Sequence, residues 1–220
     1  MTWSPSLRCG LPGIRKRASG HMKRTKAEWR RALLTARAGI PESVRRAGSA
    51  AMVEHVRRLS CFEGARSILG YAVLGAEADP VALLASGAAS GRAVFLPSSS
   101  SGLEDQPRWV AWNDQCQHEG AAALAASCLA YPVLAIVPGL GFDARGMRLG
   151  RGRGFYDRAL ADLRRAGAVH AVGLAFECQI VADLPSDVWD QCVDFVVSES
   201  RVVVTNLGAG SGREAGARWS

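Results

Sequence analysis

Residues 133–158 read Val133-Leu134-Ala135-Ile136-Val137-Pro138-Gly139-Leu140-Gly141-Phe142-Asp143-Ala144-Arg145-Gly146-Met147-Arg148-Leu149-Gly150-Arg151-Gly152-Arg153-Gly154-Phe155-Tyr156-Asp157-Arg158. The continuous apolar run at 133–137 predicts a short strand covered on both faces, because a half-exposed strand would alternate. Pro138 ends it, and a long glycine-rich loop follows over 138–154. A helix is predicted over 155–166. Strand, loop and helix make one βα unit, and the loop leaves the carboxyl end of the strand.

The same alternation repeats on either side. Apolar runs at 67–72, 93–96, 169–174 and 194–197 predict further strands, with a short one at 109–112 and an edge strand at 201–205. Trp29, Leu33 and Leu34 recur at helical spacing over 25–38. Pro41 and Glu42 open a second helix with Val44, Met52, Val53, Val56 and Leu59 as its buried stripe, and Asp79-Pro80 caps a third that runs to Ala89. An Ala-rich helix is expected from residue 120 to about 130. Most strands are continuous rather than alternating. The expected fold is α/β: a three-layer, Rossmann-like α/β/α domain with a largely parallel central sheet. It spans 23–206 as one domain, between a basic disordered leader at 1–22 and a disordered tail at 207–220. Ligands in such folds sit at the carboxyl ends of the strands.

Composition narrows the function. Of 220 residues, 48% are hydrophobic and 21% charged, which excludes a disordered or collagenous chain. The net charge of +7 comes from 27 Lys and Arg against 20 Asp and Glu. Seven positives (Arg8, Arg15, Lys16, Arg17, Lys23, Arg24, Lys26) precede the first acid, Glu28, and account for the whole excess. A basic tail on a neutral domain argues against a nucleic-acid binder. Met22 opens the first structured segment, so the leader reads as an over-long start, with an organellar transit peptide as the alternative and the cytoplasm as the expected compartment. The six cysteines form no Cys-x-x-Cys pair and read as reduced thiols. The uncharged stretch 120–140 is long enough to cross a bilayer, but Pro132 and Pro138 interrupt it, and no membrane role is expected.

The chemistry lies in the loop. Gly150, Gly152 and Gly154 alternate with Arg151 and Arg153. Glycine lets backbone amides approach an anion, the next helix offers free N–H groups, and arginine supplies forked donors. These make a polyphosphate cradle. It is neither a Walker loop, which needs Gly-Lys-Ser/Thr, nor a dinucleotide fingerprint, since Phe155 takes the last glycine position. No nucleophile triad is evident.

The segment resembles the signature of the 5-formyltetrahydrofolate cyclo-ligase family, also called methenyltetrahydrofolate synthetase: Pro-Gly-(Leu/Ala)-x-Phe-Asp-x-x-Gly-x-Arg-Leu-Gly-x-Gly-x-Gly-(Tyr/Phe)-Tyr-Asp. The resemblance extends to Lys26-x-x-x-Arg30, to Tyr71 with Glu77-Ala78-Asp79, to residues 91–97, and to the block from Gly173 through Asp194. The chain departs from the pattern between Pro97 and Tyr131, where no Glu-Pro element occurs, and carries Trp189 where His or Asn is common.

The resemblance implies an enzyme that uses ATP and Mg²⁺ to turn 5-formyltetrahydrofolate into 5,10-methenyltetrahydrofolate, with ADP and phosphate released. It implies nucleotide contacts at Lys26, Arg30, Arg148, Leu149, Gly150, Arg151, Gly152, Arg153, Gly154, Phe155 and Tyr156. Folate contacts are implied at Ala72, Glu77, Arg151, Gly152, Arg153, Gly154 and Phe155. Catalytic roles fall to Arg151, Arg153 and Tyr156, and the Mg²⁺ ligands are Asp157 and Asp190. The partners are small molecules, a reduced folate and ATP, and a monomer is expected. A non-catalytic nucleotide- or folate-binding paralogue with a regulatory role stands as the alternative.

Overall fold

A computed structural model describes residues 24–98, 106–112 and 123–205. The expected leader and tail, most of the polar loop after Pro97, Cys9 and Cys116 lie outside them. The helices are α1 (Lys26–Ala38), α2 (Glu42–Arg57), α3 (Ser60–Gly64), α4 (Val81–Ala89) and α5 (Phe155–Ala166). The strands are β1 (Ser67–Leu69), β2 (Ala93–Pro97), β3 (Trp109–Ala111), β4 (Val133–Pro138), β5 (Gly141–Asp143), β6 (Arg148–Leu149), β7 (Val169–Leu174), β8 (Ile180–Val181), β9 (Phe195–Val197) and β10 (Val202–Val204).

Seven strands form the main sheet in the order β10-β9-β7-β4-β1-β2-β3. The five inner strands are parallel, and the edge strands β3 and β10 run antiparallel to their neighbours. Successive residues of β4 divide between the two faces. Leu134 and Ile136 pack with Met52, Val53 and Val56 of α2 and Leu83 and Leu84 of α4. Val133, Ala135 and Val137 pack with Ala159, Leu160 and Leu163 of α5. Both faces are dry, which is why the run lacks alternation. This is a mixed α/β fold, a central sheet with helices on both sides in a Rossmann-like three-layer arrangement.

From β1 the chain moves to β2 and β3 on one side, then returns to place β4, β7, β9 and β10 on the other. The order reverses between β1 and β4, which opens a crevice at their carboxyl ends where open α/β sheets bind ligands.

The stretch 138–154 is more ordered than a loop. β5 and β6 form a hairpin inside it, and β8 joins alongside β5 as a second, three-stranded sheet. Asp143 fastens the hairpin. Its buried carboxylate accepts from the backbone N–H groups of Arg145, Met147 and Leu184 and from the Arg145 guanidinium. Helix α1 begins with a reciprocal cap between Thr25 and Glu28 and lays Leu33 against Leu140, Met147, Leu149 and Leu184. Truncating this fully buried leucine to alanine costs about 3 kcal/mol.

Three expectations are corrected. The Ala-rich helix is absent from its described part, 123–130. Leu124 instead forms a two-way backbone bridge with Trp109, at 2.7 and 2.9 Å, and a 3₁₀ turn covers Ala126–Cys128. Alanine propensity yields here to β3, whose free edge needs hydrogen-bond partners. β1 stops at Leu69 rather than at 72, because the chain turns away at the crevice. Val44 is 47% exposed and stands outside the buried stripe of α2. Among the described residues no helix is long and apolar enough to cross a membrane. Cys61, Cys128, Cys178 and Cys192 are free thiols.

Candidate active site

The crevice is walled by the chain leaving β1 and the chain leaving β4. After β1, Tyr71 is fully inside and its phenol donates to the Ala78 carbonyl at 2.6 Å, which closes the 72–77 turn. Burial pushes that phenol well above its ordinary range, so it stays a donor. At the end of the turn the Glu77 side chain is 7% exposed. Its Oε2 accepts the Leu74 N–H at 3.1 Å, leaving Oε1 to face the crevice. Ala72 lies exposed on the same turn.

The glycine segment forms the opposite wall. Gly152 (φ +97°) and Gly154 (φ +63°) adopt left-handed conformations that side chains other than glycine resist. Gly154 also caps α5, and its own lack of a side chain leaves the first-turn N–H groups of α5 uncovered. Arg148 reaches back under the segment. Its Nη2 stands 3.0 Å from both oxygens of Asp157, and its guanidinium lies 5.6 Å from the Tyr156 ring centroid. Burial pushes the Tyr156 phenol above its ordinary range despite the opposing charge of Arg148. Phe155 packs edge-on against both Trp109 and Tyr156. Leu149 is buried against Leu33, so only its backbone can serve a ligand.

Helix α1 supplies cations from the third side. Lys26 and Arg30 are one turn apart and share a face. Arg30 Nε donates to the Gly150 carbonyl at 2.9 Å, and its guanidinium packs over Gly152. Lys26 Nζ bonds Asp187 at 2.8 Å and Asp190 at 2.7 Å. Partial burial pulls the Lys26 ammonium down, but its two carboxylate partners outweigh this and its pKa is raised. The next residue after Asp190, Gln191, donates its backbone N–H to Asp157 Oδ1 at 3.1 Å. The turn 187–190 is thereby tied to both α1 and α5, and it presents Trp189 to solvent with 67% exposure.

One contact joins the two walls. Arg151 Nη2 donates to Glu77 Oε1 at 3.1 Å. A cradle arginine and the buried carboxylate therefore meet directly. Arg153 is exposed and its side chain has no partner among the described residues, while its carbonyl accepts from Arg158 at 3.2 Å. Thus Lys26, Arg30, Glu77, Arg148, Arg151, Tyr156, Asp157 and Asp190 form one connected group around the crevice.

Arg37 belongs to this group although no motif singles it out. It lies seven positions after Arg30 and four after Leu33, on the same helix face, so a charge on the apolar stripe is the available signal. It is buried, 3.7 Å from Glu77 Oε1, and donates to the Gly139 carbonyl at 3.4 Å. Burial pulls its guanidinium below the usual range, and Glu77 pushes back.

Could these carboxylates take Mg²⁺? Among the described residues no three His, Cys, Asp or Glu side chains converge as a ready metal cage. Mg²⁺ characteristically binds through one or two carboxylates with phosphates and water completing its shell. Asp157 and Asp190 offer that donor set. Asp157 Oδ1 already accepts from Arg148 and Gln191, whereas Oδ2 accepts only from Arg148 among the described residues and keeps a lone pair for a cation.

A model of the 5-formyltetrahydrofolate cyclo-ligase family matches residues 22–199. The chain is 27% identical over 192 residues to a 5-formyltetrahydrofolate cyclo-ligase of Mycolicibacterium smegmatis, covering 82% of this chain and 97% of that one. It is 43% identical over 67 residues to an Escherichia coli K12 protein of the same name, covering 30% and 36% of the two chains. The NMR structure of Aquifex aeolicus 5,10-methenyltetrahydrofolate synthetase superposes with a TM-score of 0.68 at 25% identity, over 87% of this chain and 96% of that one. With the signature intact and the match running through nearly the whole described fold, the chain belongs to the 5-formyltetrahydrofolate cyclo-ligase family.

Proposed function

We propose that this protein converts 5-formyltetrahydrofolate to 5,10-methenyltetrahydrofolate, using ATP with Mg²⁺ and releasing ADP and phosphate. The observation that supports it most is the Arg151–Glu77 contact at 3.1 Å, which sets a phosphate cradle beside a buried carboxylate at the switch point of the sheet.

In this reading Lys26, Arg30 and residues 148–156 hold the nucleotide. The backbone amides of the glycine segment and the open first turn of α5 take phosphate oxygens. Glu77 accepts hydrogen bonds from the amino-pyrimidinone ring of the folate, Ala72 lines its pocket, and residues 151–155 stand between the two substrates. Asp157 and Asp190 hold Mg²⁺, which when bound neutralises phosphate charge and orients the leaving ADP.

The formyl oxygen is a poor leaving group, so it first attacks the γ-phosphorus of ATP and ADP departs. The N10 nitrogen then attacks the activated carbon. The carbon–oxygen bond breaks, phosphate leaves with the electron pair, and the N10 proton passes to water. Catalysis asks for positioning and charge neutralisation, without a protein nucleophile. Arg153, with its exposed guanidinium, and Arg151, once released from Glu77, supply cations to the transferring phosphoryl group. Tyr156, kept protonated by burial, supplies a hydrogen-bond donor.

Purified protein is mixed with ATP, Mg²⁺ and 5-formyltetrahydrofolate, and the absorbance of the methenyl product is followed. Product that appears only with ATP supports the reading. Binding of both ligands without turnover would instead identify a non-catalytic paralogue.

A further inference from the structure

We infer that Arg37 is a positioning residue for Glu77, setting the affinity of the site for the folate ring without touching it. This rests on the reading of Glu77 as the folate acceptor.

Two guanidinium groups lie near Glu77 Oε1, Arg151 at 3.1 Å and Arg37 at 3.7 Å. Arg151 comes from the solvent side and is half exposed. Arg37 comes from within, with only 4% of its side chain exposed. The outer group can leave when a ligand arrives. The inner one cannot, because α1 is pinned by the Leu33 packing and by the Lys26 and Arg30 contacts. Arg37 also donates to the carbonyl of Gly139, the first residue after β4, while Glu77 follows β1. One side chain therefore spans the base of the crevice and fixes its two walls relative to each other. Gln179 strengthens the same point by donating to the carbonyls of Gly139 and Leu140 at 3.0 and 2.9 Å.

The charge balance points the same way. A buried carboxylate that loses its only partner loses its compensation, which makes it a poor acceptor site. Ring N–H donors that displace Arg151 leave Glu77 balanced only if Arg37 stays. A guanidinium remains charged under all ordinary conditions, so it performs this role without titrating itself.

The test is a double-mutant cycle read by calorimetric binding of 5-formyltetrahydrofolate and, separately, of ATP. The variants are Arg37→Met, Arg37→Lys, Glu77→Gln and the double variant that joins Arg37→Met to Glu77→Gln. Arg37→Met is expected to weaken folate binding about tenfold or more while ATP binding stays within about twofold. Arg37→Lys, which keeps the charge and loses the fork, should restore most of the affinity. In the Glu77→Gln background the Arg37 change should have almost no further effect. A purely structural role would give additive losses, or equal losses for both ligands, and either result overturns the inference. If Arg37→Met does not fold, the cycle is run with Arg37→Lys and its smaller loss must likewise vanish beside Glu77→Gln. Folate binding unaffected by Glu77→Gln alone would overturn the folate reading of Glu77 first, and this inference with it.

Discussion

One nitrogen of Arg148 stands 3.0 Å from both carboxylate oxygens of Asp157, nine positions later in the chain, and the pair is nearly enclosed. Asp157 therefore balances a buried guanidinium, and its Oδ2, which accepts only from Arg148 among the described residues, keeps a lone pair. Removing its charge should damage both the balance and the donor oxygen. Asp157→Asn is expected to destabilise the fold by roughly 3 kcal/mol, as breaking a buried pair does, and to abolish most activity. Adding Arg148→Met should recover much of the melting temperature without recovering turnover. Thermal unfolding beside steady-state kinetics separates the two effects, and full turnover in Asp157→Asn at ordinary Mg²⁺ would refute the metal role.

Glu77→Gln keeps the shape and the Leu74 N–H acceptor but removes the charge that Arg37 and Arg151 balance. Folate affinity should fall at least about tenfold, with ATP affinity changed far less. Equal losses for both ligands would mark Glu77 as a structural support of the crevice.

Gly152 sits at φ +97° with the Arg30 guanidinium 3.4 Å from where a methyl group would project. Gly152→Ala adds backbone strain of about 1 kcal/mol or more to the glycine segment, while the new methyl group meets Arg30 only at ordinary contact distance. The Michaelis constant for ATP should rise while that for the folate moves less. An unchanged ATP constant would remove the Gly152 backbone from the nucleotide site.

Arg153 is exposed, and its side chain has no partner among the described residues, so Arg153→Ala should leave stability within about 0.5 kcal/mol. Its effect on turnover is then readable without correction. A loss of about a hundredfold in kcat, with little change in ATP affinity, is the signature of a donor that acts in the transition state. Arg153→Lys should retain part of the rate. Wild-type turnover in the Ala variant would leave the cradle to the glycine amides and Arg151.

The Lys26 clasp carries a pH signature. Its ammonium is raised above its ordinary value of 10.5 by Asp187 and Asp190, against the pull of partial burial. A raised folded-state pKa contributes stability that is fully present below 10.5 and disappears as pH climbs through the raised value. The melting-temperature difference between wild type and Lys26→Met should stay constant from about pH 7 to 9 and shrink above 10.5. A difference that shrinks between about pH 9 and 7 instead would contradict this linkage.

Whatever depends on neighbours along the chain is legible in the order of residues alone. A five-residue apolar run, Val133 to Val137, reads as a strand covered on both faces, and the glycines at 152 and 154 mark sharply turning backbone at the start of a helix. Lys26 and Arg30 share a face because of helical period alone. From these follow the α/β class and the place of the glycine segment after a strand, whereas the roles expected of Glu77, Tyr156, Asp157 and Asp190 come from the family resemblance alone.

What depends on partners distant in sequence emerges only when the chain packs. Whether residues 123–130 formed a helix turned on the open edge of β3, which no local pattern reports. The hairpin within 138–154 is extended to a three-stranded sheet by β8, far along the chain. The pairing of Arg151 with Glu77, 74 positions apart, and of Lys26 with Asp190, 164 apart, follows from which strands became neighbours. Arg37 shows the limit most clearly. Its place on an apolar stripe can be read from the sequence, but its counter-charge on the turn after β1 cannot, because local periodicity encodes direction and only packing supplies the partner.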